Sequence, residues 1–227
     1  MATKKVKRKP KKLLIFIIVC IVLLIAAITS YFVFFRESDV KEAKVVSKID
    51  KYGYSLKSNK SKKYKELFSE LDKVLSAKNV DEKKYAKIIT KMFIVDFYSL
   101  SDHITKTDVG GVDFVHPDAL ENFVVNAEDT IYKYVESNLY GQRKQKLPEI
   151  EDVKIGKVTQ GEYAYNDTVD EKAYTVTATW TYKDSSIAKG YQTKANFIYV
   201  HDGKKLQLVE ISDGDDTSDD EENSDSE

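Results

Sequence analysis

An aspartate inside an otherwise apolar stretch is the residue of this chain that best fits the role of a catalytic base. Asp96 interrupts the run MFIVDFYSL and lies two residues before Tyr98. If the carboxyl group of Asp96 faced an apolar interior, its pKa would rise, and a carboxylate with a raised pKa is suited to accept a proton. Alternatively, Asp96 faces solvent or caps neighbouring backbone. The sequence leaves both roles open.

A second group of candidates is the aromatic face of a predicted strand. Tyr174, Trp180 and Tyr182 fall on the same side of an alternating segment. Together with Asp96 and Tyr98 they could line a cavity for a small molecule. Aromatic residues at a period of two are also ordinary contents of a sheet core. The pattern therefore predicts either a pocket or a packed interior.

The sequence shows no motif for metal binding, phosphate binding or a serine nucleophile. The three histidines, His103, His116 and His201, are too far apart in sequence to match a metal-ligand spacing. The chain has no glycine-rich phosphate loop and no G-x-S-x-G motif. We therefore expect no metal and no cofactor, and we expect that the protein is not an enzyme.

Charge balance argues against a nucleic-acid partner. Residues 36–212 hold 29 basic and 28 acidic side chains, and the whole chain has three arginines. A nearly neutral surface that is poor in arginine offers little attraction for phosphate and few readers of base edges.

An uncharged run near the N-terminus predicts a membrane anchor. Residues 13–35 contain 23 consecutive uncharged residues, mostly apolar, and seven lysines or arginines precede them in residues 1–12. As a helix this run would measure roughly 35 Å, enough to cross a bilayer. The basic head places the N-terminus in the cytoplasm and the rest of the chain outside. Representative anchor residues facing the lipid bilayer are Leu13, Phe16, Cys20, Leu24 and Phe35.

Two alternatives to a retained anchor are a cleaved signal peptide and a lipoprotein signal. The apolar run is longer than a signal-peptide core, and YFVFF follows the small residues at which cleavage could occur. Cys20 follows Val19 rather than a small residue, so it reads as an apolar membrane residue. We therefore expect a single-pass protein of the cell membrane.

The remainder of the chain divides into three segments. Residues 36–60 are predicted to be a charged stalk, in which Tyr52, Tyr54 and Leu56 alternate as in a short strand. Residues 61–212 are predicted to be an extracytoplasmic domain and residues 213–227 a disordered tail. This acidic tail has nine acidic residues and no basic one. Because no cysteine lies outside the anchor, the domain must be stabilised by a packed core rather than by disulfides.

Three amphipathic helices are predicted in the first half of the domain. The first covers residues 62–77, where apolar residues recur at intervals of three and four. The second follows Asp81 as N-cap and has the widest apolar face, formed by Tyr85, Ile88, Ile89, Met92, Phe93, Phe97 and Leu100.

The third helix follows the pair Gly110-Gly111. It is expected to begin at Pro117 and to end near Gly141. Its predicted inward residues are Leu120, Phe123, Val124, Ala127, Ile131, Tyr134 and Val135.

Beyond Pro148 the period changes from 3.6 to 2 and the residues become Val, Thr, Tyr and Trp. This pattern predicts four antiparallel strands, with Asp202-Gly203 as a tight turn before the last. The strands cover residues 153–165, 173–182, 191–200 and 206–211. The fold class is therefore α+β.

Three helices followed by a curled antiparallel sheet, behind one N-terminal membrane helix, resemble the nuclear transport factor 2-like (cystatin-like) α+β roll. The resemblance rests on KYAKIITKMFIVDFYSL, on DVGGVDFVHPDALENFVVNAEDTIYKYV and on the four strands, about residues 62–211. In anchored form it is similar to scaffold subunits of bacterial type IV secretion and Gram-positive conjugation machines. The acidic tail departs from those scaffolds.

The resemblance and the anchor imply a binding or assembly module that meets other membrane or cell-surface proteins. The alternative is a roll that binds a small ligand or performs catalysis in an interior cavity. Neither the partner nor the oligomeric state can be predicted from the residues.

Overall fold

The computed structural model describes residues 11–34 and 43–213, with the side chains of the first helix from residue 15 to residue 30. The chain divides into two units, residues 1–40 and 41–227. Most of the predicted basic head, Phe35, the start of the predicted stalk and all but the first residue of the acidic tail lie outside the described residues.

The first unit contains helix α1, Lys11–Phe34. Its side chains from Ile15 to Ser30 are all exposed, including Phe16, Cys20 and Leu24. Among residues 11–34 and 43–213, no helix has the length and apolar character needed to cross a membrane. The transmembrane helix at residues 13–35 stays a prediction.

The second unit begins with an antiparallel hairpin formed by β1 (Val45–Ile49) and β2 (Tyr54–Lys57). The turn between them uses Gly53 in the left-handed region, at φ 70°. The hairpin contributes four buried side chains to the core, Ile49, Tyr52, Tyr54 and Leu56. These residues, which the sequence suggested were stalk, are part of the folded unit.

Two helices form the centre of the unit, α2 (Lys62–Leu75) and α3 (Glu82–Phe97). Ser61 caps α2, and the Asp81 carboxylate caps α3 by accepting the Lys84 N–H at 2.9 Å. All seven residues predicted for the apolar face of the second helix are buried. Both helices were correctly predicted from their periodicity.

Helix α4, Pro117–Asp129, is shorter than predicted. After Thr130 the Tyr132 N–H donates to the Ala127 carbonyl at 2.9 Å. This hydrogen bond joins residues five positions apart, whereas the hydrogen bonds of an α-helix join residues four positions apart. The Tyr132 hydroxyl then donates to the Phe97 carbonyl at 2.6 Å. This long-range hydrogen bond directs the chain away from the helix axis after Asp129. The predicted end of the third helix near Gly141 is therefore wrong.

The prediction of which residues of this helix face inward is also wrong in part. Of its seven residues, only Ala127 and Val135 are buried, whereas Tyr134 is 76% exposed. Leu120, Phe123, Val124 and Ile131 are half-buried.

Four antiparallel strands follow in the order β3-β4-β5-β6, which confirms the predicted sheet. Their bounds are β3 Ile150–Tyr165, β4 Thr168–Tyr182, β5 Lys194–Asp202 and β6 Lys205–Ser212. The fold is therefore α+β, with four α-helices and a four-stranded antiparallel sheet in the part of the chain that the structure describes.

The sheet is strongly curled. β3 and β6 are its opposite edges. Nevertheless the Tyr163 hydroxyl near the end of β3 donates to Glu210 on β6 at 2.5 Å. This contact requires the long β3–β4 hairpin to bend back over the sheet. Along β4, alternate side chains are buried on the inner face of the sheet: Tyr174, Val176, Ala178, Trp180 and Tyr182.

Candidate functional site

Three of the five residues predicted to line a cavity lie together in the core. The rings of Tyr98 and Trp180 are 4.6 Å apart, and the Trp180 Nε1–H donates to the Tyr182 hydroxyl at 3.1 Å. The hydroxyls of both tyrosines donate to oxygens of Gln192, at 2.7 and 2.9 Å. Burial raises the pKa of both, that of Tyr182 to about 12. Their own rings fill the space between them, and none of the three lines the grooves described below.

Tyr174 lies towards the other end of β4 and has different neighbours. Its hydroxyl donates to Glu82 on α3 at 3.4 Å, and its ring lies 6.2 Å from His201. Partial burial and the negative charge of Glu82 raise the pKa of Tyr174. The predicted aromatic stripe therefore belongs to two separate clusters.

Asp96 is in the last turn of α3, and both of its carboxylate oxygens have partners. Lys60 forms an ion pair with Oδ1, and the Gly111 N–H donates to Oδ2 at 2.9 Å. The recess beside it has a volume of about 30 Å³, the space of roughly one water molecule. This geometry favours the structural role for Asp96, as an acceptor of neighbouring backbone.

The glycine pair is required by the close approach of its loop to α3. A Cβ on Gly110 would lie 2.3 Å from the Asp96 carbonyl oxygen, and a Cβ on Gly111 would lie 2.6 Å from the Phe93 ring. Gly111 also has a φ of 75°. The loop can therefore reach Asp96 only with glycine at both positions.

His103 connects the same loop to α3. Its Nε2 lies 2.8 Å from the Asp96 carbonyl oxygen, and its Nδ1 lies 3.6 Å from the Asp108 carboxylate. Burial alone would lower the pKa of His103, but Asp108 and the Asp96 carbonyl raise it above its usual value. The pKa of Asp108 is lowered mainly by His103.

His201 lies between two carboxylates at the start of the β5–β6 turn. Its Nδ1 is 2.8 Å from Asp170 Oδ2, and its Nε2 is 3.6 Å from Glu82 Oε1. Burial would raise the pKa of Asp170, but the N–H groups of His201 and Lys172 donate to its carboxylate and lower it. The described polar contacts of His201 include no hydroxyl or thiol, so the arrangement lacks the nucleophile of a hydrolytic triad.

A long open groove lies between α4 and β6. It has a volume of about 690 Å³. Phe97 and Phe123 lie at its base with ring centroids 5.1 Å apart. Asn122 and Asn126, one helical turn apart, present exposed amides along the α4 wall. We call this feature the α4–β6 groove.

The other wall of the α4–β6 groove is the outer edge of the sheet. Among the strands of the described residues, β6 pairs with β5 on one side only. On its outer side, among the described residues, Leu208 forms a single bridge with Val115 and its carbonyl accepts the His116 N–H at 2.9 Å. Residues 209–211 continue past that bridge along the groove. A bulge opposite Ile198 and Tyr199 interrupts the register there.

The described lining of the groove contains two acidic residues, Asp118 and Glu210, and no lysine or arginine. α4 contains four acidic residues and no basic one, Asp118, Glu121, Glu128 and Asp129. Glu210 adds a further carboxylate from β6, and Asp118 accepts the Asn166 amide N–H at 3.2 Å at one end. The groove thus combines an apolar base, exposed amides and an acidic rim.

Sequence reasoning missed this groove. The available signals were the two asparagines at a spacing of four and the uniform sign of charge on residues 117–129. Neither signal indicates that β6 lies opposite α4, because this depends on the order of the strands and on the curl of the β3–β4 hairpin.

Among the described residues, no group of three or more His, Cys, Asp or Glu side chains is arranged to hold a metal ion. Comparisons with known proteins gave no match to a family model, to a curated protein or to a solved structure. The function is therefore inferred from the geometry of the chain itself.

Proposed function

We propose that this protein is a membrane-anchored, extracytoplasmic protein-binding module that receives an extended, basic segment of a partner protein in the α4–β6 groove. The observation that carries the proposal is the open outer edge of β6 facing an exposed, amide-bearing helix across a groove of about 690 Å³.

The state of the interior supports binding at the surface over chemistry in a cavity. Tyr98, Trp180 and Tyr182 pack on one another, and Asp96 is engaged by Lys60 and Gly111. An interior ligand would have to displace well-packed rings, which costs much of their packing energy. The α4–β6 groove is already open, so an occupant need not displace packed rings.

An extended segment suits this groove because of its β6 wall. An unpaired strand edge presents N–H and C=O groups to which another strand can add, and a helix lying alongside supplies side-chain contacts. Asn122 and Asn126 can donate to and accept from the added backbone. Half-buried Phe123 offers an apolar surface to alternate side chains of the partner.

A basic partner is indicated by the sign of the charges around the groove. Asp118 on α4 and Glu210 on β6 line the groove, its described lining includes no lysine or arginine, and three further acids of α4 lie on the same helix. Complementary charge speeds encounter and disfavours acidic competitors. The expected segment therefore carries lysine or arginine next to apolar residues.

Tethering at the membrane is the second part of the proposal. Residues 13–35 lack charge, residues 1–12 hold seven basic side chains, and exposed apolar side chains cover the described part of α1. Such a surface needs an apolar environment. The arrangement of α2 to α4 before a curled sheet supports the proposed likeness to the nuclear transport factor 2-like roll of secretion and conjugation scaffolds.

Site-specific photocrosslinking in native membranes tests the groove. A photoreactive phenylalanine analogue at Asn126 on α4, and separately at Glu210 on β6, should capture the same partner. Both crosslinks should map by mass spectrometry to one short segment that carries basic residues. Val125, which is 53% exposed on α4 and does not line the groove, is the matched control position and should give no such crosslink.

Equal capture from Asn126 and Val125, or capture of unrelated segments from the two walls, would contradict the proposal. A second variant tests the strand edge itself. Val209→Pro removes one N–H from β6 and should abolish the Asn126 crosslink, whereas proline at Lys204, in the turn before β6, should preserve it.

A further inference from the structure

A second groove, between α3 and the first residues of β3, is bordered by lysines. It has a volume of about 890 Å³. Its base includes Ile88, Val153 and Ile155, and its rim carries five basic side chains, Lys83, Lys84, Lys87, Lys91 and Lys154. We call it the lysine groove.

The acidic residues at this groove are already engaged. Glu70 lies 3.9 Å from the Lys84 amine, and Asp152 lies 3.7 Å from the amine of Lys63. Asp81 caps α3 through the Lys84 N–H. Two of the three carboxylates thus form ion pairs, and the third caps the N-terminus of α3.

Four lysines of the groove have no ion pair with any residue in the described part of the chain. They are Lys83, Lys87, Lys91 and Lys154. Lys87 and Lys91 are half-buried, so water screens their charges less than it screens those of fully exposed lysines. The groove carries five lysines against three carboxylates, and such an excess of positive charge attracts an extended anion.

We propose that the occupant of the lysine groove is the acidic segment 214–227 of the same chain. This segment begins one residue after the described part of the chain and contains eight acidic residues and no basic one. The proposal is independent of the α4–β6 groove and assigns a different surface.

The sheet brings the start of this segment to the correct end of the molecule. Asn196 pairs with both Thr177 and Ser212, and Thr179, two residues along from Thr177, pairs with Lys154. The end of β6 is thus nearly level with Lys154, three strand spacings away, or about 14 Å. Fourteen further residues can extend about 46 Å, which is ample for this span and for the path around the edge of β3.

The spacing of charges also matches. Lys83, Lys87 and Lys91 recur every four residues on α3, so they form a row with intervals of about 6 Å. Alternate side chains of an extended segment lie about 6.6 Å apart. Acids two positions apart, such as Asp220 and Glu222, can therefore meet successive lysines of the row.

This contact would make segment 214–227 an internal competitor for the lysine groove. Single exposed ion pairs are weak and are screened by salt. The segment would therefore release readily, and a stronger polyanion could replace it. The groove would accept only ligands able to displace the chain's own acids.

Amine labelling of the full-length chain in a non-ionic detergent tests the contact. The comparison is a variant with a neutral segment, in which each of the eight acids is replaced by its amide: Asp215→Asn, Asp216→Asn, Asp219→Asn, Asp220→Asn, Glu221→Gln, Glu222→Gln, Asp225→Asn and Glu227→Gln. At low salt, acylation of Lys87 and Lys91 should be about two- to fivefold slower in the natural chain than in the neutral variant. Near 1 M salt the difference should vanish, because the screening length falls to about 3 Å.

Lys172, an exposed lysine of β4 away from the groove, is the internal control and should react equally in both chains. Equal labelling of Lys87 and Lys91 in the two chains at low salt would overturn the proposal. So would protection of Lys172 to the same degree as the groove lysines, because this would indicate non-specific attraction.

Zero-length carboxyl-to-amine crosslinking identifies the occupant directly. Crosslinks should join segment 214–227 to Lys83, Lys87 or Lys91, and the variant Lys83→Gln, Lys87→Gln, Lys91→Gln should lose them. Mixing unlabelled chains with ¹⁵N-labelled chains separates contacts within one chain from contacts between copies. Crosslinked peptides of a single isotopic composition are expected, and mixed pairs would show that a second copy supplies the acids.

Discussion

The charge of His103 is determined by two groups on opposite sides of its ring, the Asp96 carbonyl and the Asp108 carboxylate. Both favour the imidazolium, and together they outweigh the burial that opposes it. The pKa of His103 is therefore higher in the folded chain than in the unfolded chain.

The sign of the pH dependence follows from this shift. The extra stability from protonated His103 is fully present below the unfolded pKa of about 6.5 and is lost as the pH rises through the folded pKa. We expect the thermal midpoint of His103→Gln to lie furthest below that of the natural chain near pH 6, and the gap to narrow by pH 9. Thermal melts across this range measure it.

Asp108→Asn is the companion variant for His103. Without the carboxylate, the ring loses one source of its raised pKa. In this background, the difference in thermal midpoint between the chains with and without His103 should therefore change less with pH. A gap that widens towards pH 9 would contradict the assigned protonation.

Gly110 is the residue at which the loop lies closest to α3. Gly110→Ala places a methyl group 2.3 Å from the Asp96 carbonyl oxygen, which forces the loop away and should cost about 1–3 kcal/mol of unfolding free energy. Gly161→Ala on β3 meets nothing within 4 Å and should change stability by less than about 0.5 kcal/mol. Denaturant titrations of both variants compare them, and equal stabilities would refute the close approach.

Strand β4 is the central element of the core because one of its faces is fully covered. The Trp180 ring packs against the Tyr98 ring at a tilt of 35°, and its Nε1–H donates to the Tyr182 hydroxyl. Trp180→Ala should therefore destabilise the chain by about 3–5 kcal/mol. Thr179→Ala, on the exposed face of the same strand, is the matched control and should have little effect. Thermal or denaturant unfolding decides whether the sheet is oriented as described.

Elements with a clear period could be predicted from the sequence. α2 and α3 have apolar residues at intervals of three and four, and the strands alternate, so local pattern and burial agree. The Asp81 cap was likewise visible in the sequence and is present.

The end of α4 could not be predicted in this way. The segment after Thr130 keeps an apolar pattern compatible with helix, but Tyr132 bonds to Phe97, 35 positions earlier. Contacts at this sequence separation leave no trace in local periodicity. The alternation of Tyr52, Tyr54 and Leu56 indicated a short strand, which corresponds to β2, but it could not show that this strand packs on the domain and buries Tyr52 and Tyr54.

The candidate site was the least predictable part. Of the five residues proposed to line a cavity, Tyr98, Trp180 and Tyr182 lie together and pack on one another. The α4–β6 groove arises from strand order, a bulge and a bent hairpin, none of which is encoded in the spacing of any residue pair.

At the scale of the whole molecule, orientation across the membrane is the main expectation. The charge bias of residues 1–12 predicts that an epitope tag after residue 227 is digested by external protease on protoplasts, while a tag before residue 1 is protected. Western blotting of the two tagged chains measures this. Protection of the C-terminal tag, or a mature chain that begins near Tyr31, would show that the anchor has been wrongly assigned.

The open edge of β6 also bears on how copies of this protein behave when crowded on one surface. Bare strand edges tend to join edge to edge, which is a common start of aggregation. Pairing of two β6 strands would bring two α4 helices, each with four acids and no base, into proximity. Repulsion between them would keep the copies apart at low ionic strength. The acidic helix α4 would thus keep the β6 edge available for a basic partner and would reduce self-association of the protein.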